Sequence, residues 1–398
     1  MLLERWNEIV ASRGEEIALW HPEMAGGLSF SEIDRMASEV DVCGEIVVAV
    51  GSLLGFFPSL IAAWRSGKPA LLVENARSKV RPVIGEIPVG TLVIKQTCGA
   101  SGIERSLFFG EERIFAEGKR NINGLGLHTD RRGMAAISLA HSYGFGCLAL
   151  PLLLEGIPLD IVAGPLPMHM QAALGRGGEI FLPGVPAIWK TWWQTGLAAH
   201  PAISLALSAG SPLSLELEHG ILSNTGLKVR NFYGTSETGA IAYDASDSPR
   251  AAPGFVGTQL PGILAHRDEA GRITVVSDSA ANGADVEAWP GEFSSKEYRT
   301  LDRGEVTEGG IFVTCCVGRA INVAGRKVSP ARLEKILESI DGVHSAKVER
   351  GQSPDYERFE EIHVRLAMDG TLDKKAIREQ LRARAETWEM PRHWEFEC

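Results

Sequence analysis

The sequence predicts an α/β protein. It has a large N-terminal domain of α/β sheets carrying a small β-barrel-like unit, followed by a small α+β C-terminal domain. Three observations lead there. Apolar strand-like runs alternate with helical patterns through most of the chain, which argues for parallel sheets with both faces covered. Short, glycine-punctuated strands replace that alternation at about 254–318. From residue 320 the texture changes again, to amphipathic helices interleaved with strands.

The elements follow in order. "EIVVAV" (45–50), a helical pattern over 56–66, "PALLVE" (69–74) and "TLVIKQ" (91–96) open the alternation. "GMAAISLA" (133–140), "PLDIVA" (158–163), "ISLALSAG" (203–210), a helix over 213–224 and "LKVRNFYG" (227–234) continue it. "RITVVSD", "EYRTLDRGEV" and "GIFVTCCVG" are the short strands of the barrel-like unit. In the tail, "PARLEKILESI" is a helix with Pro330 in its first turn, "HSAKVERG" and "EEIHVRLAM" are strands, and "DKKAIREQLRARAETW" is a helix. The sequence thus divides into 1–319, with the barrel-like unit at about 254–318, and 320–398.

Composition excludes several classes. A net charge of −10 and a pI near 5.6 argue against general nucleic-acid binding, which needs a basic face. "MLLERWNEIV" has charges where the apolar core of a signal peptide would run. No apolar run is long enough for a membrane span, and "IVVAVGSLLGFFPSLIAAW" is broken by Gly51, Gly55 and Pro58. The cysteines (Cys43, Cys98, Cys147, Cys315, Cys316, Cys398) form no CxxC pair and no cysteine zinc spacing, which fits reduced thiols in the cytoplasm.

Three stretches carry chemistry. "TCGASGIERSLFF" (97–109) follows a predicted strand. Gly99 and Gly102 free the backbone to aim N–H groups at one point, Thr97 and Ser101 add hydroxyls, and Arg105 adds a charge able to grip a phosphate. By itself the loop reads equally as a glycine-rich turn with a solvated arginine. "NFYGTSETGA" (231–240) offers Tyr233 as a flat face for a base and Glu237 as a magnesium ligand, against the plainer reading of a polar loop. The run from 297 sets Asp302 after one strand, able to accept from ribose hydroxyls, and Arg319 after another, against the plainer reading of a structural salt bridge in a turn.

In this order the stretches resemble the adenylate-forming superfamily, which comprises acyl- and aryl-CoA synthetases, peptide-synthetase adenylation domains and luciferases. Thr97–Ser106 matches its phosphate loop, Thr-Ser-Gly-Thr-Thr-Gly-x-Pro-Lys-Gly. Tyr233, Gly234, Thr235, Ser236 and Glu237 match Tyr-Gly-x-Thr-Glu, and Tyr298, Thr300 and Asp302 match Tyr-x-Thr-Gly-Asp. Gly318–Arg319 and Gly325–Arg326 match the arginine motifs at the hinge, Ala209–Leu213 resembles the adenine-contacting Gly-Gly-Ala-Pro-Leu, and His141 in "SLAHSYGFG" matches the histidine at the acyl pocket. The resemblance covers nearly the whole chain.

That resemblance implies a large domain with two α/β sheets and a mobile C-terminal domain. The implied activity turns a carboxylic acid and ATP into acyl-AMP and pyrophosphate, then passes the acyl group to CoA or to a phosphopantetheine thiol on an acyl carrier protein. Implied nucleotide contacts are Thr97, Gly99, Ser101, Gly102, Gly210, Ser211, Pro212, Tyr233, Gly234, Ser236, Asp302 and Arg319. Arg105, Glu237 and His141 are the implied catalytic set, with Glu237 holding Mg2+. "HSYGFGCLALPLLLEG" would line an apolar acyl pocket, favouring a simple carboxylic acid over an amino acid.

The sequence also departs from the family pattern. Glu104–Arg105 replaces Pro-Lys, Leu301 replaces the glycine before Asp302, and the hinge after Arg319 is short. Pro391, Arg392 and Phe396 match the family's last segment, and the sequence given stops at Cys398 without its closing lysine. Two readings follow: an acid–thiol ligase, or a degenerate homologue that binds nucleotide or acyl group and adenylates poorly. A dehydrogenase has only "VVAVGSLLG" in support, without GxGxxG.

Overall fold

The computed structural model of the chain describes residues 1–24, 26–75, 80–97, 102–286, 292–294, 296–354, 360–369 and 373–397. It opens with α1 (Leu2–Arg13), β1 (Ile17–Trp20), β2 (Leu28–Ser29) and α2 (Phe30–Glu39). Ser29 starts α2 through a capping box: its hydroxyl accepts from the Glu32 N–H, and the Glu32 carboxylate accepts from the Ser29 N–H. Next come β3 (Val47–Val50), α3 (Phe56–Arg65), β4 (Ala70–Val73), β5 (Thr91–Thr97), β6 (Arg105–Gly110) and α4 (Glu111–Leu125). These are followed by β7 (Arg131–Ala135), α5 (Ser142–Gly144), a π-helical turn (Phe145–Ala149), α6 (Leu150–Glu155), β8 (Leu159–Ile161) and α7 (Pro167–Leu174). The alternation closes with β9 (Glu179–Gly184), α8 (Pro186–Gln194), β10 (Ile203–Ser208), α9 (Leu215–Thr225), β11 (Val229–Thr235) and β12 (Gly239–Tyr243).

Two sheets organise this part. β3, β4 and β5 pair in parallel, and β6 returns antiparallel to β5. In the second sheet β1, β8, β7, β9, β10 and β11 are parallel. Their apolar runs are buried on both faces, as parallel sheets covered by helices require. The antiparallel unit expected near 254–318 consists of β13 (Phe255–Gln259), β14 (Ile263–Arg267), β15 (Arg272–Ser277), β17 (Phe293–Ser294), β18 (Glu297–Thr307) and β19 (Gly310–Cys316), while β16 (Gly283–Ala284) leaves it to pair with β6 in the first sheet. It is continuous with the second sheet, because β12 folds back on β11 and β13 pairs with β12.

The C-terminal module begins with a two-stranded ribbon, β20 (Ile321–Val323) and β21 (Arg326–Val328), then α10 (Pro330–Glu338), β22 (Val343–Gln352), β23 (Glu360–Met368), α11 (Lys374–Arg382) and β24 (His393–Glu397). β23 lies between β22, antiparallel to it, and β24, parallel to it. Its core is its own: Ile321, Val328, Leu333, Leu337, Leu366 and Leu381 are each fully buried in one cluster. No described helix is long and apolar enough to cross a membrane.

Two of the differences from expectation bear on the site. The strand expected over 133–140 ends at Ala135, where the chain turns toward the His141 cap of α5. α4 is absent from the sequence reading because Glu117, Arg120 and Asn121 sit on its buried face and break the apolar period.

Candidate functional site

The β5–β6 hairpin sets the first wall. Thr97 pairs in register with Arg105, so residues 98–104 connect two antiparallel strands. Gly99 and Ser101 of the expected phosphate loop, and Cys98, lie outside the described residues; Gly102 is described and buried, with φ of +76°. Arg105 is not the open, phosphate-facing charge that its place in the motif suggested. As the first residue of β6 it is 1% exposed, and its guanidinium donates to Glu237 Oε1 at 2.7 Å and to Glu292 Oε2 at 2.5 Å. Burial works against its charge, yet Glu292 and Glu237 outweigh it and hold the guanidinium above its ordinary range.

Glu292 was not anticipated. The segment between β15 and β18 crosses to the first sheet, where β16 pairs with β6 and Asp285 Oδ1 accepts from the Ser106 N–H at 2.8 Å. That crossing brings a second carboxylate to Arg105. Glu237 itself is 3% exposed, in a turn that Thr235 closes by accepting from the Thr238 N–H. The turn is fixed from below: Ser279 donates to Thr238 O, and Arg120 of α4 donates to Ser279.

The second wall joins β11 to β18. Tyr233 Oη donates to Asp302 Oδ2 at 2.7 Å. The Asp302 N–H is held by Thr300 Oγ1, which fixes the turn of the backbone there. Burial and then Asp302 push the Tyr233 hydroxyl well above its ordinary value, and the same two causes push the neighbouring Cys316 thiol up to about 11. Gly234 lets β12 close on β11, since a Cβ there would lie 2.5 Å from Gly239 O. Ser236 is half-buried in the same turn.

The third wall is the C-terminal module. Its β20–β21 ribbon and the residues flanking it face Gly210 and Gly102. Asn322 Nδ2 donates to Gly210 O at 2.9 Å, and a Cβ on Gly210 would lie 3.4 Å from Gly325 Cα. Ser329 Oγ donates to Gly102 O, and a Cβ on Gly102 would lie 3.3 Å from Ala320 N. Next to Gly210, Ser211 Oγ is buried without a hydrogen-bond partner, while Pro212 is exposed. Arg319 is exposed and borders a groove with Pro330, Glu334, Lys347 and Arg350 on the C-terminal module.

Ion pairs tie this module down. Glu104 sits 3.1 Å from Arg332 Nε, and Arg332 also donates to Glu389. The Glu104 carboxylate is therefore neutralised across the interface. Burial raises its pKa, and Arg332 works the other way. Glu74 accepts from Arg326 at 2.6 Å, and the Arg326 guanidinium stacks 3.7 Å above the Trp388 ring. His141 caps α5 by accepting from the Tyr143 N–H. Burial lowers its pKa; Arg326 and Lys95 lower it further and Glu74 offsets part of this.

The stretch expected to line an acyl pocket forms α5, the π-helical turn and α6, buried from Gly144 through Leu154. Beside it lies a charged pair that sequence reasoning missed. Lys95 donates to Glu117 at 2.9 Å, with 2% and 1% of the side chains exposed, and its ammonium lies 5.3 Å from the Phe145 ring centroid.

No family model matches the chain. It is similar to two acyl-CoA ligases of Alternaria alternata, each 26% identical over 278 residues, covering 63% of this chain and 48% of theirs. It is also 28% identical over 272 residues to the 4-coumarate–CoA ligase of Rhodobacter capsulatus, covering 66% of this chain and 61% of that one. The matches thus span about half to three fifths of these relatives. Among solved structures, the o-succinylbenzoate CoA synthetase of Bacillus subtilis superposes with a TM-score of 0.80 at 16% identity, over 98% of this chain and 94% of that one. A malonyl-CoA ligase superposes at 0.81 with 17% identity, over 97% and 96% of the two chains. These last two likenesses are of fold. Together with the ordered motifs, the ligase relatives make the chain similar to adenylate-forming enzymes.

Proposed function

We propose that the protein is an acid–thiol ligase: it activates a carboxylic acid with ATP as the acyl-adenylate and transfers the acyl group to CoA or to a carrier-protein thiol. One observation carries this reading. Stretches scattered from Gly102 to Ser329 meet at one place, where the β20–β21 ribbon touches Gly210 and its flanking residues Ala320 and Ser329 meet Gly102. Acyl-CoA ligases and CoA synthetases among the relatives agree with it.

In the first half-reaction a carboxylate oxygen attacks the α-phosphorus, and the bond to the β-phosphate breaks as pyrophosphate leaves. In the second, a thiol sulfur attacks the acyl carbon and AMP leaves. The roles assigned to this chain follow the geometry. Thr97 and the backbone around Gly99, Ser101 and Gly102 would cradle the triphosphate. Asp302, already oriented by Tyr233, would accept from the ribose hydroxyls. Ser211 Oγ, buried and unpartnered, would meet a polar edge of the adenine beside Gly210 and Pro212. Gly234 and Ser236 would border the same pocket, with Tyr233 against the base. Arg319 would serve the phosphate once the module moves, and His141 would border the acyl chain.

Glu237 fits magnesium as a hard carboxylate donor whose Oε1 is engaged by Arg105. Glu237, with one oxygen steadied by Arg105, would hold Mg2+, which supplies charge neutralisation to the triphosphate. Such chemistry suits the cytoplasm, where ATP and CoA are abundant.

The locked Arg105 favours a second reading, in which nucleotide binds and adenylation is slow. Losing a preorganised charge costs about a hundredfold or more in rate. Pyrophosphate release with a panel of fatty and aromatic acids separates the two. Release with at least one acid supports the ligase; ATP binding without release from any acid supports the second reading.

A further inference from the structure

The C-terminal sheet carries a cluster that the proposed activity leaves unused. Glu361 and His363 stand two residues apart on β23, so the pleat turns both to one face. His393 is the register partner of His363 on β24. Glu361 Oε1 lies 3.1 Å from His363 Nε2 and 3.4 Å from His393 Nε2. One ligand atom from each of the three residues lies within 4.8 Å of the others. A tetrahedral zinc ion with bonds of about 2.0–2.1 Å holds its donors roughly 3.3–3.4 Å apart. The two measured separations bracket that edge closely.

The surroundings make room for this arrangement. Gly351 on β22 pairs with Glu361, and a Cβ there would lie 2.0 Å from His363 Nε2. The His363 ring therefore occupies space that any side chain at 351 would deny it. Glu361 is 10% exposed, His363 40% and His393 65%, so the carboxylate is anchored and the imidazoles open to solvent. Neighbouring cations are engaged elsewhere: Lys347 by Glu349 at 2.5 Å and Arg365 by Glu395 at 2.8 Å.

We propose that Glu361, His363 and His393 form a site for a zinc-class divalent transition metal, with a fourth position open to solvent. Two imidazoles and one carboxylate favour such ions over magnesium or calcium. With ligands from β23 and β24, the metal clamps the last strand onto the sheet. The inference is independent of the ligase reading.

The test is a calorimetric titration of the full chain, free of any affinity tag, reduced and stripped with chelator, using Zn2+ alone as probe. We expect one equivalent to bind with micromolar affinity or better, to raise the thermal midpoint, and to resist competition by Mg2+. His393→Ala removes an exposed side chain and leaves the fold intact; we expect it to weaken binding at least about tenfold. Gly351→Ala should do the same by displacing His363. A variant with Cys43, Cys315 and Cys316 all changed to Ser should bind as the parent does. Absence of stoichiometric binding, binding unchanged in His393→Ala, or binding lost with the cysteines overturns the proposal.

Discussion

Arg105 shows how one side chain can hold two segments in place. Its guanidinium joins the Glu237 turn to Glu292, and all three groups are at most 3% exposed. Removing one member of a buried ionic set leaves uncompensated charge behind. We therefore expect Arg105→Ala to lower stability by roughly 3–5 kcal/mol in urea unfolding. Neutralising the acids as well, in Arg105→Ala/Glu237→Gln/Glu292→Gln, should recover much of that loss. A single variant as stable as the parent would show that the triad carries no such charge balance. His141 gives a second residue-scale test. Burial, Arg326 and Lys95 depress its pKa below 6.5 in the folded chain. A base depressed by folding binds fewer protons folded than unfolded, so its contribution is present above the unfolded value and is lost as pH falls through 6.5 toward the folded one. His141→Asn keeps the cap on α5 and removes the titration. The stability lost between about pH 7.5 and about pH 5.5 should be smaller in the variant; equal losses would place His141 outside this linkage.

At the scale of elements, the β20–β21 ribbon is the piece that reaches the site. Val323 pairs with Arg326, so Ala324 and Gly325 form its two-residue turn, with φ of 50° and 86°. Both central residues of such a turn need positive φ, which glycine tolerates and alanine resists. Ala324→Asn supplies the Asn-Gly pair this turn prefers. We expect a gain of about 0.5–1 kcal/mol in urea unfolding followed through the C-terminal module. A lower midpoint would mean that Ala324 carries no such strain. The elements were the most legible part of the sequence. β4, β5, β10, β11 and α10 each announce themselves by a local apolar run or a proline in the first turn, and the Tyr233–Glu237 motif marks the end of β11; Asp302, expected after a strand, lies inside β18. The pairings were not legible. Glu292 reaches Arg105 from 187 residues away, and Lys95 finds Glu117 across two elements. No local period encodes which loop crosses to which sheet. Arg105 was misplaced for a related reason: the small residues before it read as a loop, while its side-chain direction was set by the β5–β6 register.

At the scale of the whole molecule, the question is what keeps the C-terminal module seated on the two α/β sheets. The module has its own apolar core, so little of its internal stability depends on docking. The contacts across the boundary are polar: Glu74 with Arg326, Glu104 with Arg332, Asn322 with Gly210, and Ser329 with Gly102. The charged partners are each 20–39% exposed, a depth at which ion pairs are partly screened by salt. A seat built from such pairs holds a pose without making it permanent. The double variant Glu74→Gln/Glu104→Gln removes both pairs and leaves the module's core untouched. By small-angle scattering we expect its radius of gyration to exceed the parent's, and high salt to shift the parent in the same direction while barely moving the variant. Protease cleavage in the short connection at 317–320 should quicken in parallel. Scattering profiles that coincide for parent and variant at low salt would show that the hydrogen bonds to Gly102 and Gly210 suffice, and that the ion pairs do not set the pose.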